Sequence, residues 1–309
     1  MKYSVTDLKI RLDKFLAGRL PLVSRAQIQR DIEAGLVLVN GKAGVQPKHV
    51  VRAGDTVEYE FKGKDTSVKA KNIPIKTLYN NHGLLILDKP PGLSVHPGAG
   101  VKGDSLAEAL LFHFKDIKGV GEEGRPGIVH RLDKDTSGVI LIARTQKMYE
   151  YLKDAFAGRK VKKEYIALVK GKVEKKHGLI ETPIGKSKSD FRKYTTKDMI
   201  EPKDSLTEYT VLEHLKAGVD DYTLIRVKLH TGRTHQIRVH FYSLGHPLAG
   251  DELYGSKKLK LDGLARQFLH AAKIEVELPD GAWIGAESPL PADLSQVLKS
   301  MGSKAVNNI

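Results

Sequence analysis

The sequence predicts an α+β protein: a small α/β domain, then a larger domain with a largely antiparallel mixed sheet flanked by helices. Three observations predict it. Strand-like and helix-like segments mix along the chain without the regular βαβ beat of a doubly wound sheet. A polar, Lys-rich stretch over residues 61–72 has no apolar period and reads as a linker. The length of 309 residues suits two domains. The expected division is residues 1–62, a linker over 63–74, the larger domain over 75–302 and a frayed tail over 303–309.

In the first domain, Leu12, Phe15 and Leu16 lie at helical spacing. Ser24-Arg25-Ala26-Gln27 is a capping-box pattern that satisfies orphan amides at a helix start. The helix it opens should run to about Ala34, with Gly35 as its stop. Residues 36–39 read as a strand, Asn40-Gly41 as a tight turn and 55–61 as a second strand. In the larger domain, strands are expected at 75–79 and 84–87, around Asn80-Asn81-His82-Gly83. Lys89-Pro90-Pro91-Gly92 breaks the chain, and Ser105-Leu106-Ala107-Glu108 is a second capping box, opening a helix to about Phe114. A strand at 138–143 and a helix at 146–157 follow, and residues 163–170, 207–212 and 222–229 alternate as strands.

Composition excludes several functions. Cysteine is absent, which removes disulfides, Cys-ligated zinc, iron–sulfur clusters and a thiol nucleophile. No apolar run approaches the roughly 18 residues that span a bilayer, and the first residues lack the apolar core of a signal peptide. A cytoplasmic location with no membrane partner is therefore expected. Fifty-one Lys and Arg against 37 Asp and Glu give a net charge of +14. With an isoelectric point near 9.6, that balance points to a polyanion such as nucleic acid. Residues 1–71 hold 14 of the cations and 8 of the acids, so positive charge is densest there.

Familiar cofactor motifs fail on context. Gly98-Ala99-Gly100-Val101-Lys102-Gly103 fits G-x-G-x-x-G, but Pro97 separates it from any strand and no βαβ unit surrounds it. His230, His235 and His240 recur every five residues, about 140° apart on a helix, so they share no face for a metal. Neither G-x-S-x-G nor the phosphate-cradling G-x-x-x-x-G-K-[ST] is present. No cofactor and no metal are expected.

Two segments are dense in polar groups. The first runs from Gly127 through His130-Arg131-Leu132-Asp133-Lys134-Asp135-Thr136-Ser137 to Gly138. As a bare loop it would be solvated, with Asp135 or Thr136 making turn hydrogen bonds. The second runs from Thr231 to Tyr242. Drawn as a helix from about Thr234, Ile237, Phe241 and Leu244 fall within about 60° and form its core face. His235, Arg238 and Tyr242 form another arc, about 125° round. A cation at the border of the buried face calls for a carboxylate partner.

These residues carry a resemblance. Arg11-Leu12-Asp13-Lys14, Ser24-Arg25-Ala26-Gln27, Leu38-Val39-Asn40-Gly41-Lys42 and Gly54-Asp55 resemble an S4-type RNA-binding domain. His130 to Gly138, Lys163-Glu164-Tyr165-Ile166-Ala167 and Gly232-Arg233-Thr234-His235-Gln236-Ile237-Arg238-Val239-His240 together resemble the RluA-type pseudouridine synthases, and closely the RluD-like large-subunit rRNA branch. Leu93 to Gly100 and His246-Pro247-Leu248-Ala249-Gly250-Asp251 match as well.

The resemblance implies conversion of uridine to pseudouridine in folded RNA, without cofactor or hydrolysis. It places the essential aspartate on Asp133; the residue types alone leave Asp133 and Asp135 level. It places the carboxylate's basic partner on Arg238, the active-site tyrosine on Tyr165 and the residue that fills the flipped base's place on Arg131. His130 is grouped with Arg131 as a candidate RNA or base-flipping contact. Lys163, Arg233 and Lys89 are candidate phosphate contacts, and Arg25, Arg30, Lys42 and Lys48 are candidate RNA contacts of the first domain. The expected partner is 23S rRNA or the assembling large subunit, with tRNA as the other target class, and the protein is expected to act as a monomer. A purely RNA-binding factor would not need a carboxylate among phosphates, and a base-cleaving glycosidase would release uracil.

Overall fold

Four apolar clusters organise the described residues. In the computed structural model, which describes residues 1–6, 9–20, 23, 25–60, 68–97, 103–255, 261–307 and 309, one core belongs to a unit over residues 1–66 and the rest to a unit over 67–309.

The first unit holds β1 (Lys2–Ser4), β2 (Ile10–Arg11), α1 (Leu12–Arg19), α2 (Arg25–Glu33), β3 (Val37–Val39), β4 (Val50–Val51) and β5 (Thr56–Tyr59). Leu12, Phe15 and Leu16 of α1 meet Ile28 and Ile32 of α2 over Val37, Val57 and Tyr59. Three side chains converge on Asp13, which is fully buried in α1. Arg11, Arg25 and Gln29 all donate to its carboxylate, so burial, which would raise its pKa, is overridden and the group titrates at about 2. Asp13 thus ties α2 to α1. Gly35 takes a φ of 75°, which suits the expected helix stop, and Asn40-Gly41 turn with φ of 51° and 74°. Ser24 lies outside the described residues, and so does the expected cap it carries.

The second unit holds β6 (Lys76–Asn81), β7 (Leu84–Lys89), α3 (Leu106–His113), β8 (Gly121–Glu122), β9 (Arg125–Pro126), β10 (Ser137–Ala143) and α4 (Gln146–Ala157). It continues with β11 (Val161–Lys170), β12 (His177–Glu181), β13 (Ile184–Ser187), β14 (Tyr194–Thr195), β15 (Met199–Lys203), β16 (Leu206–Ala217), β17 (Asp220–Leu229), α5 (Gln236–Ser243), β18 (Leu269–Glu277), β19 (Trp283–Glu287) and α6 (Ala292–Ser300). The main sheet runs β12-β16-β17-β11-β18-β10-β7-β6, with β19 on the far end of β18. Every pairing in it is antiparallel except β10 with β18. Where those two strands meet, Gly138 has a φ of 111° and a Cβ would sit 2.1 Å from the Ala271 carbonyl. Only glycine fits there, directly after the polar 130–137 loop.

Local chemistry explains the helices nearest the site. The Glu108 carboxylate accepts from the Ser105 amide and hydroxyl, both at 2.7 Å, at the start of α3. Thr145 caps α4 by accepting from the Met148 amide. The helix expected from about Thr234 starts two residues later, because His235 sits in the left-handed region with a φ of 58°. Gln236 fixes that start: its oxygen accepts from the Thr231 hydroxyl and the Arg233 amide. Ile237 and Phe241 are buried as expected, but Leu244, the C-cap of α5, is 49% exposed, because the core that covers Ile237 and Phe241 does not reach it. Within the tail expected to fray, residues 303–305 are held: the Glu213 carboxylate accepts from the Ser303 hydroxyl and from the Lys304 and Ala305 amides. The glycine-rich run 98–102 lies outside the described residues.

Candidate active site

The loop 130–137 is held on both flanks. His130 accepts from the Leu141 amide through Nε2 at 2.8 Å and stacks on Phe156. Burial lowers its pKa to about 3, so the ring is a neutral acceptor that fixes the loop entrance at the cavity wall. Lys89 departs from expectation. It is fully buried, and its ammonium donates to the carbonyls of Pro90, Leu93 and Lys134 at 2.9–3.0 Å. All three donors are used inside the protein, so it cannot meet a phosphate. Burial pulls it down to about 7 against the opposing charges of Asp135 and Asp133. On the other flank, Arg266 forks onto Asp293 and donates to the Asp135 carbonyl at 2.9 Å.

Asp133 projects from this loop with its side chain 14% exposed. Arg238, on α5 and 105 residues away in sequence, donates through Nη1 to Asp133 Oδ2 at 3.0 Å. The rest of the guanidinium engages Asp251, Nε at 2.7 Å and Nη2 at 2.9 Å. His235 Nε2 stands 3.9 Å from the other Asp133 oxygen. Burial alone would raise the Asp133 pKa. The charges of His235, Arg238 and Arg131, with the Arg238 hydrogen bond, reverse that and hold it below the ordinary carboxylate range. His235 is itself lowered by burial, so near neutral pH the arginines supply this effect. The carboxylate is ionised at neutral pH.

Asp133 opens into a cavity of about 550 Å³. Arg125, Arg131, Arg159, Lys163 and Arg233 line it, and Asp133 is the one carboxylate among the described lining residues. Tyr165 lines it from β11, where a register shift between Glu164 and Tyr165 interrupts the pairing with β18. Burial, reinforced by the Asp133 charge, raises the Tyr165 pKa, so the phenol stays neutral. Lys163 is half-buried with no carboxylate partner among the described residues, and its ammonium lies 5.6 Å from the Phe156 ring centre. Burial lowers it to about 8. Arg131 and Arg233 are exposed at the cavity, Arg233 donating to the Asp204 carbonyl.

The structure therefore brings Asp133, Tyr165, Arg238, Arg131, Lys163 and Arg233 together. It places Arg25, Arg30, Lys42 and Lys48 in the other unit. There Arg25 pairs with Asp13 at 2.7 Å and keeps its side chain 43% exposed. Arg30 donates to Gln27, and Lys42 and Lys48 are exposed. Sequence reasoning missed Asp251 as a ligand of Arg238, although Asp251 lies in one of the matching segments. It also missed Arg125 and Arg159, single cations without a local pattern. The three spaced histidines go separate ways: His230 meets Glu208, His235 meets Tyr254, and His240 meets Thr207 and Ser205.

A single ionised carboxylate in a cation-lined cavity of about 550 Å³ suits chemistry on a polyanion, and known proteins identify which kind. Residues 83–243 match the RNA pseudouridylate synthase family, and residues 10–57 match the S4 domain. An uncharacterized RNA pseudouridine synthase of Aquifex aeolicus is 43% identical over 83% of this chain and 80% of its own. The ribosomal large subunit pseudouridine synthase D of Nitrosomonas europaea is 40% identical over 94% of this chain and 84% of its own. Human RNA pseudouridylate synthase domain containing 1 superposes with a TM-score of 0.60 at 25% identity, covering 76% of this chain and 97% of that one. The chain belongs to the RNA pseudouridylate synthase family and carries an S4 domain in front of the synthase fold. It is a pseudouridine synthase, and its partner is RNA. No helix among the described residues is long and apolar enough to cross a membrane.

Proposed function

We propose that the chain isomerises uridine in large-subunit (23S) rRNA, acting as a cytoplasmic monomer with Asp133 as its catalytic carboxylate. One observation carries the assignment: Asp133, oriented by Arg238, is the one acid among the described residues lining a cavity of cations. The target class rests on the relatives named for the large subunit.

The reaction breaks the N1–C1′ bond and forms a C5–C1′ bond; a proton leaves C5 and one arrives at N1. Attack on C1′ and removal of a sugar proton both require an ionised carboxylate, which Arg238 maintains. The base must first leave its stack, at a cost of a few kcal/mol. Arg131, exposed at the cavity, stacks in the vacated place. Tyr165 lies against the flipped uracil, and its neutral hydroxyl relays the C5 proton, taking it up as it passes its own on. Lys163 and Arg233 bind flanking phosphates. Arg25, Arg30, Lys42 and Lys48 add contacts from the S4 domain.

The test is pseudouridine mapping of total RNA from cells lacking the gene, complemented by wild type or Asp133→Asn. Loss of large-subunit sites restored only by wild type is the expected result. Lost sites in tRNA would move the target, and an unchanged map would overturn the proposal.

A further inference from the structure

Arg238 faces two carboxylates, and the uridine chemistry accounts for only one of them. We propose that Asp251 is a positioning residue for Asp133, acting through Arg238; the inference rests on Asp133 being the catalytic carboxylate.

A guanidinium offers rigid edges that can each fork onto a carboxylate. Asp251 takes the Nε–Nη2 edge, at 2.7 and 2.9 Å. Only Nη1 remains for Asp133, at 3.0 Å on Oδ2. Oδ1 of Asp133 is left without an arginine contact; its near neighbour is His235 Nε2 at 3.9 Å. With Asp251 removed, Arg238 could turn an edge toward Asp133 and engage both oxygens, which would block the atom that must meet the sugar. Asp251 is built for the task. Its side chain is fully buried, and its Oδ1 also accepts from the Leu253 and Tyr254 amides at 3.0 and 3.1 Å. The Tyr254 ring lies 5.2 Å from the Arg238 guanidinium carbon and closes the other side.

Charge gives a second reason. Asp251 cancels the charge of Arg238, so the three groups together carry one net negative charge. That charge resides on Asp133, the member that faces the cavity. A lone arginine would also quench the basicity and nucleophilicity of Asp133. Asp251 lets Arg238 orient the carboxylate without neutralising it.

The experiment compares wild type, Asp251→Asn, Asp251→Glu and Asp133→Asn in pseudouridine formation on total RNA from cells lacking the gene, with melting temperatures alongside. Asp251→Asn keeps the shape and loses the charge. Its turnover at saturating RNA should fall about tenfold to a hundredfold, with KM within about twofold of wild type. Asp251→Glu keeps the charge and forces an extra methylene into a fully buried site, so it should melt lower yet turn over faster than Asp251→Asn. A purely structural role would rank activity with melting temperature across the two. That ranking would overturn the inference, as would wild-type turnover in Asp251→Asn beside an inactive Asp133→Asn. Should Asp251→Asn not fold, Asp251→Glu decides: turnover within about tenfold of wild type at a lowered melting temperature supports the role, and loss of turnover overturns it. Activity in Asp133→Asn would instead overturn the assignment of the catalytic carboxylate on which the inference rests.

Discussion

Replacing Arg238 by alanine strands two carboxylates at once, and the consequence for stability has a distinctive pH signature. Asp251 is fully buried and Asp133 is 14% exposed, so Asp251 bears most of the loss. Removing one partner of a buried ion pair costs about 3–5 kcal/mol. Arg238 also helps to hold the Asp133 pKa below the ordinary carboxylate range in the folded protein. A carboxyl depressed on folding adds stability above its unfolded pKa, and that stability is lost as pH falls through the folded value. The deficit relative to wild type should therefore be full at neutral pH and shrink as the pH falls through the carboxylate range. Trp283 is the only tryptophan and lies on β19, so its fluorescence reports unfolding of the larger unit in urea. RNA affinity should stay within about twofold, since the guanidinium is 8% exposed beneath the cavity, while turnover falls by about a hundredfold or more. A deficit that is flat with pH, or smaller than about 1 kcal/mol, would refute the buried-charge reasoning. Equal losses of affinity and turnover would refute the orienting role.

Three further outcomes are expected. Lys163 titrates at about 8 in the free protein and phosphate favours its charged form, so RNA affinity should fall as pH rises from 7 to 9; in Lys163→Gln, binding is weaker at pH 7 and that slope disappears, as fluorescence anisotropy would show. Tyr165→Phe should keep RNA affinity within about threefold and slow single-turnover pseudouridine formation by about a hundredfold, the loss of the hydroxyl's proton handling; unchanged turnover would reduce Tyr165 to a stacking surface. Removal of residues 1–66, a unit with its own core, should weaken binding and lower the slope of log affinity against log salt by about 3, the share of four phosphate contacts; an unchanged slope would remove the RNA role of the S4 cations.

The local grammar of the fold was legible, and the pairings across it were not. The helix over 146–157 and the strands at 138–143 and 163–170 follow from periodicity, and the Ser105 cap follows from its box. Local pattern could not assign Lys89. Its surroundings, Asp-Lys-Pro-Pro-Gly, look like an exposed turn, whereas three carbonyls, one of them 45 residues away, draw the ammonium inward. His130 likewise reads as a polar loop residue until the Leu141 amide and the Phe156 ring reach it. The need of Arg238 for a carboxylate could be argued from its place on the helix, but the helix face does not say that two acids answer it. Leu244 failed for a different reason: it caps α5 on the expected face, but the core that packs on Ile237 and Phe241 does not extend to the helix end.

The arrangement also explains how a strongly basic protein keeps a carboxylate at work on a polyanion. Arg131 and Arg233 are exposed at the cavity and Lys163 is half-buried there, while Asp133 sits deeper with one net negative charge shared among itself, Arg238 and Asp251. Two like charges 4 Å apart at an effective dielectric near 20 repel by about 4 kcal/mol, so a phosphate that descended to Asp133 would be expelled. The same phosphate is attracted by the outer cations. A uracil is neutral and pays no such penalty. Under the proposed function, the opposed charges sort the parts of one nucleotide, holding its phosphates at the outer cations and admitting its base to Asp133. That sorting requires a negative charge there. A lone Arg238 would have cancelled it, and the buried Asp251 preserves it.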